Sequence, residues 1–304
     1  MSDTGFGLGF GFGGVLQSAL EAFGPLCVGI DPHDFLLDEW GLPSSAAGVR
    51  EFGLKAVDAA AGRAGIVKPQ VAFFERFGSA GYAALEEVLA AARSAGLITI
   101  ADAKRGDIDT SLAGYAEAWL TPGAPLEADA VTINPFQGVG SLASAMEYAT
   151  ANGKGMFVLA ATSNPEAARL QSARVQQANT TSSGSDQASL AIPTVSRAII
   201  DDVSAFNAGR VGEGPVGSIG VVIGATIDFA ALGVDVHTAH SPALPVLAPG
   251  FGHQGALGTD VRRLFGSLAP YTLVSESRSL LQAGPRGLAT AIDARAAELR
   301  AALV

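Results

Sequence analysis

The run Leu97-Ile98-Thr99-Ile100-Ala101-Asp102-Ala103-Lys104, "LITIADAK", continued by "RGDI" to Ile108, decides how this chain is read. A near-continuous apolar run of β-branched residues marks a strand buried on both faces, as in a parallel sheet covered by helices. The run ends in alternating acid and base, and the carboxyl ends of parallel strands are where such folds keep their chemistry. Residues i and i+2 of a strand point the same way. Asp102 and Lys104 should therefore project together, with Cα atoms about 6.5–7 Å apart.

Seven similar runs flank this one: "LCVGID" (26–31), "GIVKPQ" (65–70), "AVTINP" (130–135), "GMFVLAAT" (155–162), "SIGVVIGAT" (218–226), "PVLAPG" (245–250) and "YTLVSES" (271–277). Between them lie Ala-rich, helix-forming segments such as "EFGLKAVDAAAGRA" (51–64) and "YAALEEVLAAARSA" (82–95). The βα alternation predicts a (β/α)8 TIM barrel, an α/β fold, over residues 1–304 as one domain; a doubly wound open sheet is the alternative. Two segments depart from the rhythm. The polar stretch "QSARVQQANTTSSGSDQASLAIP" (171–193) reads as an exposed excursion between the fifth and sixth strands. The Gly/Phe-rich start reads as an N-terminal arm (1–14) that packs Phe6, Phe10 or Phe12 against the body. No strand precedes its glycines, so they do not make a dinucleotide fingerprint.

Composition narrows the function classes. Hydrophobic residues make up 48% of the 304 and charged residues 16%, enough apolar material to cover a sheet on both sides. With 19 Lys+Arg against 29 Asp+Glu, the net charge of -10 repels a phosphate backbone and argues against a nucleic-acid surface. The start lacks a basic n-region and a continuous apolar h-region, and no stretch reaches the roughly 18 apolar residues of a membrane span. The single cysteine, Cys27, reads as a buried strand residue in a reducing compartment, and the expected location is cytoplasmic. His33, His237, His240 and His253 lack ligand spacing, so no metal is expected.

Polar residues fall at the carboxyl ends of nearly all these runs. The first ends in Asp31, the second carries Lys68, and the third ends in Asp102 and Lys104 with Asp107 just beyond. The fourth ends in Asn134, the fifth leads to Thr162-Ser163-Asn164, the seventh to His253 and Gln254, and the eighth to Ser277 and Arg278. An alternating set of buried charges costs several kcal/mol per ion unless paired, and apolar replacements are often neutral or stabilising. Function explains such a set better than stability does. The loops after the last two strands, "APGFGHQG" and "SESRS", combine approachable backbone with Gln254 and Arg278, a phosphate-binding pattern.

The stretches "LCVGIDPH", "VKPQVAFFERFG", "ADAKRGDI", "FVLAATSNPE", "GVVIGAT" and "APGFGHQG" occur in an order that resembles the orotidine 5'-phosphate decarboxylase family, in its longer actinobacterial-type form. The resemblance implies cofactor-free conversion of orotidine 5'-monophosphate to UMP and CO2 in pyrimidine biosynthesis. It further implies that Lys104 is the proton donor, that Asp102 lies beside the departing carboxylate, and that Lys68 and Asp107 complete the charged network. By the same resemblance Asp31 and Lys68 hold ribose hydroxyls, Ser163 contacts the pyrimidine, and Gln254 and Arg278 grip the phosphate. Asp107 is implied to reach a partner subunit's site in a homodimer, with Ile108 and Ser111 lining that shared site. Two places depart from the family pattern: "NPFQGVGSL" (134–142) and the length of 171–193. The alternatives are a Mg2+-dependent sugar-phosphate decarboxylase, which shares the D-x-K-x-x-D core, and a non-catalytic barrel that binds phosphate esters.

Overall fold

A computed structural model describes residues 11–175, 192–210 and 214–303. Eight strands, β1 (Leu26–Ile30), β2 (Ile66–Pro69), β3 (Ile98–Arg105), β4 (Ala130–Ile133), β5 (Gly155–Ala161), β6 (Ile219–Ile223), β7 (Val246–Pro249) and β8 (Thr272–Glu276), follow one another around a closed barrel. Every neighbouring pair is parallel, and β1 closes the ring on β8 with Leu26 opposite Val274. The open-sheet alternative is thereby excluded. The strands are buried almost throughout, which is why they read as unbroken apolar runs. Among the described residues no helix is long and apolar enough to cross a membrane.

Two apolar clusters carry the packing. One fills the space between the strands and the outer ring of helices. The other fills the barrel itself and is built from inward residues, including Cys27, Ile66, Ile100, Phe157 and Leu273. The helix Phe12–Phe23 belongs to this inner cluster through Phe12, Leu16 and Ala19. It therefore stoppers the amino-terminal mouth of the barrel. Phe12 meets Phe157 edge-on at 6.1 Å between ring centroids, and Gly155 makes room for it, since a Cβ there would lie 2.3 Å from the ring. The arm is thus corrected at its inner end: residues 12–14 are helical, and Phe12 enters the core, whereas Phe6 and Phe10 lie outside the described residues.

The excursion after β5 leaves and returns at one place. Arg174 pairs antiparallel with Thr194, and the Val175 amide donates to the Pro193 carbonyl at 2.9 Å. Most of the stretch between them lies outside the described residues. Thr194 then caps the helix Val195–Ala208, its hydroxyl accepting from the Arg197 amide.

Candidate active site

The carboxyl ends of the strands surround a cavity lined by Asp31, Lys68, Asp102, Lys104, Ser163, Gln254 and Arg278, seven of the residues singled out from the sequence. At its floor four donors reach one carboxylate. Lys68 Nζ donates to Asp102 Oδ2 at 2.9 Å, as does Gln70 Nε2 at 2.9 Å. Lys104 Nζ donates to Asp102 Oδ1 at 2.6 Å and the Thr132 hydroxyl to the same oxygen at 3.0 Å. The result is a chain of charges, ammonium to carboxylate to ammonium, anchored by two neutral donors.

Burial differs sharply along this chain. The side chains of Lys68 and Asp102 are 7% and 9% exposed, whereas that of Lys104 is 47% exposed. Burial alone would discharge Asp102, but Lys68 and Lys104 outweigh it and hold the carboxyl well below the usual carboxylate range. Burial likewise opposes the Lys68 charge, and the adjacent Asp102 and Asp31 overcome it, raising the ammonium's affinity for its proton. Beneath Lys68 lies Cys27, whose thiol is pushed up to about 12 by burial, against the pull of the Lys68 charge. It is a core residue.

The geometry that brings Lys104 to Asp102 is not that of a regular strand. From Ala101 to Arg105, five residues of β3 run against three of β4, Val131 to Ile133. Lys104 sits in this bulge with φ at 49°, a left-handed conformation uncommon for a residue with a side chain. Its amide donates to the Thr132 hydroxyl at 2.9 Å, so one threonine fixes both the lysine backbone and the carboxylate. The i, i+2 expectation brought the right tips together by the wrong local path. Gly106, next along, packs where a Cβ would lie 2.4 Å from the Asn134 carbonyl oxygen, so the turn out of the bulge requires glycine.

Other groups line the cavity that the sequence reading passed over. Gln70 follows Lys68 by two residues, so the same-face rule applied at 102 and 104 finds it; Thr132 precedes Asn134 in the same way. Oδ1 of Asp31 and Oγ of Ser277 are buried with no hydrogen-bond partner among the described residues. Both line the cavity, and such groups are suited to a polar ligand. Across the mouth the Ser163 hydroxyl and Gln254 Oε1 lie 3.4 Å apart, and His253 lines the same side. Asp107, Ile108 and Ser111 do not line the cavity; Asp107 Oδ1 accepts from the Ile108 amide at 2.9 Å, and Ile108 and Ser111 are exposed. Among the described residues no three His, Cys, Asp or Glu side chains converge on a point that a metal could occupy.

A (β/α)8 barrel with a lysine–carboxylate–lysine chain at the strand ends defines a class of anion-handling barrel enzymes. Residues 24–289 match the model of the Orotidine 5'-phosphate decarboxylase / HUMPS family, and the chain belongs to that family. A Salinispora tropica protein named orotidine 5'-phosphate decarboxylase is 46% identical over 294 residues, covering 96% of this chain and 98% of its own. A Streptomyces coelicolor protein of the same name is 43% identical over 295 residues, with 96% and 98% covered. Among solved structures, a Streptomyces avermitilis protein assigned the same activity superposes with a TM-score of 0.85 at 41% identity, covering 100% of this chain and 99% of its own. Leishmania donovani OMP decarboxylase superposes with a TM-score of 0.71 at 28% identity, covering 96% and 98%.

Proposed function

We infer that this chain converts orotidine 5'-monophosphate to UMP and CO2 without a cofactor, in the cytoplasm, where a charged nucleotide is retained. The observation that carries the reading is the Lys68–Asp102–Lys104 chain at the end of β3, in a chain that belongs to this family. Breaking the bond from C6 to the carboxylate leaves the electron pair in an in-plane orbital that the ring π-system does not delocalise. A fixed cation beside C6 must therefore stabilise it as it forms.

Lys104 supplies that cation and then the proton: its N–H bond breaks, the C6–H bond forms, and the neutral amine recovers a proton from water. Asp102 keeps the ammonium aimed, and Lys68 keeps Asp102 ionised. With both carboxylate oxygens already shared among four donors, Asp102 repels the substrate carboxylate less than a bare carboxylate would. Stabilisation of the forming carbanion is thus the larger contribution. The unpartnered Asp31 oxygen suits a ribose hydroxyl, Ser163 the pyrimidine, and Gln254 and Arg278 the phosphate.

A second copy of the chain completes the site in this reading. Lys104 is half exposed beside Asp107, Ile108 at 48% and Phe136 at 77%, a partly apolar rim for a partner that contributes its own Asp107. Ile108 and Ser111 then line the shared boundary. Sedimentation should show a dimer, and Asp107→Ala should lower turnover; a fully active monomer would end this part of the reading. The function itself is tested by adding purified protein to orotidine monophosphate with EDTA and following its absorbance. Loss of the orotate band supports the reading, and a stable spectrum refutes it.

A further inference from the structure

We propose that Arg105, Glu75 and Tyr82 form a strut that positions the Lys104 ammonium, an inference that rests on the decarboxylase reading above. None of the three lines the catalytic cavity. They meet behind β3, in a separate crevice bordered by Tyr115 and Trp119.

The guanidinium of Arg105 donates through Nη2 to Glu75 Oε1 at 2.8 Å and to the Tyr82 hydroxyl oxygen at 3.1 Å. Tyr82 in turn donates to Glu75 Oε1 at 2.9 Å, which closes a triangle. Through Nη1 the same guanidinium donates to the Ala103 carbonyl at 3.1 Å, and its carbon lies 6.0 Å from the Tyr115 ring centroid. Arg105 thus reaches back across Lys104, from the residue after it to the carbonyl of the residue before it. The backbone between those two points is the bulge in which Lys104 takes its positive φ. A sparsely populated conformation persists only where the surroundings over-determine it. Here the Thr132 hydroxyl holds the lysine amide on the cavity side, and Arg105 holds the flanking carbonyl on the other.

Glu75 ends the helix Ala72–Glu75, a few residues beyond the β2 lysine. The strut therefore ties the segment that follows Lys68 to the bulge that carries Lys104. A flat fork with several donors suits this post; a lysine ammonium could reach Glu75 but could not serve Tyr82 and Ala103 in the same plane. Without the strut the bulge can relax toward a regular strand, which carries the Lys104 amine off its line to C6. Misplacement of a catalytic group by about 1 Å is enough to cost about a hundred-fold in rate. Substrate binding, which uses other residues, should be spared.

The test is steady-state turnover of orotidine monophosphate, with active sites counted by UMP-binding stoichiometry so that misfolded protein does not enter kcat. For Arg105→Met, kcat per site should fall about ten-fold or more while KM and the UMP Kd stay within about three-fold. Arg105→Lys should recover part of the loss. Glu75→Met should resemble Arg105→Met, and the double variant should be no worse than either, because the pair acts as a unit. If Arg105→Met does not fold, Tyr82→Phe removes only one hydroxyl and should still lower kcat about two- to five-fold with KM unchanged. An unchanged kcat per site, losses that multiply in the double variant, or an equal loss of UMP affinity each overturns the strut. Absence of turnover by the wild-type protein would instead refute the decarboxylase reading, which separates the two failures.

Discussion

Asp102→Asn removes the carboxylate that, among the described residues, is bonded to Lys68, and the consequence for stability can be worked from burial. Taking one partner from a buried ion pair leaves an uncompensated charge and costs about 3–5 kcal/mol. That figure applies to Lys68, whose side chain is 7% exposed. It does not apply to Lys104, which at 47% exposure meets Asp102 in largely aqueous surroundings and adds no more than about 1 kcal/mol. The asparagine amide also turns an NH2 group toward donors that need an acceptor, whichever way it flips. In a chain of this length 1 kcal/mol corresponds to about 1.5 °C of Tm, so the variant should melt about 5–9 °C below wild type.

The sign of the pH dependence sharpens the test. In the wild type the folded Asp102 titrates below its ordinary 3.8, so its stabilising contribution is present above that pH and is lost as pH falls toward the lowered value. Lys68 titrates above its ordinary 10.5, so its contribution is present below that pH and is lost only as pH rises past it. Between about pH 5 and 10 the pair's contribution is flat. In Asp102→Asn the main opposing carboxylate is gone, Asp31 is the largest of the contributions left against burial, and the folded Lys68 should titrate below its ordinary 10.5. The unfolded chain then binds more protons, and stability rises with pH. Thermal melts of the ligand-free protein at pH 7 and pH 10 should show the deficit narrowing. A Tm within about 1 °C of wild type, or a deficit of the same size at both pH values, would refute this account.

Four further outcomes follow from the same geometry. Lys104→Ala should lose turnover by about 1,000-fold or more while still binding UMP, and near-normal kcat would remove Lys104 from the chemistry. Arg278→Ala and Gln254→Ala should each raise KM and weaken UMP binding, by about ten- to a hundred-fold for the charged side chain, with Tm nearly unchanged; unaltered kinetics would dismiss the phosphate assignment. Cys27, with its thiol raised to about 12 by burial, should resist iodoacetamide at pH 8 in the native protein and react in urea, and fast native labelling would contradict its place in the core. Phe12→Ala should cost about 3–5 kcal/mol by opening a cavity at the barrel floor, measured by urea unfolding, and a neutral result would argue against the stopper.

The sequence made the barrel legible because strands buried on both faces advertise themselves as uninterrupted apolar runs, and nearly all of those runs end in polar side chains. Asp31, Lys68, Asp102, Lys104, Ser163, Gln254 and Arg278 were found by that rule, and one cavity collects them. Gln70 and Thr132 escaped it because a neutral side chain at a strand end has the same pattern whether it is an idle β-former or a hydrogen-bond donor to a buried carboxylate. The helix Phe12–Phe23 was hidden by Gly11, Gly13 and Gly14, whose low helix propensity is overridden by the packing of Phe12 and Leu16 into the barrel. Asp107, Ile108 and Ser111 stand apart from the cavity, and the role proposed for them, at a boundary between two copies, would leave no mark on the interior of one.

The bulge at Lys104 was beyond reach altogether, since period-two reasoning assumes the regular strand that the bulge interrupts. Its location is informative. A regular β3 would already place two side chains on one face, so a bulge is not needed to pair Asp102 with some lysine. What it adds is a lysine whose backbone is gripped from inside by Thr132 and from outside by the fork of Arg105. Ion pairing alone cannot fix a half-exposed ammonium, because solvent screens it and the four-carbon stem swings freely. Gripping the backbone on both sides removes part of that freedom before any substrate arrives. The local rule is broken at the residue that the proposed mechanism requires to be placed most accurately.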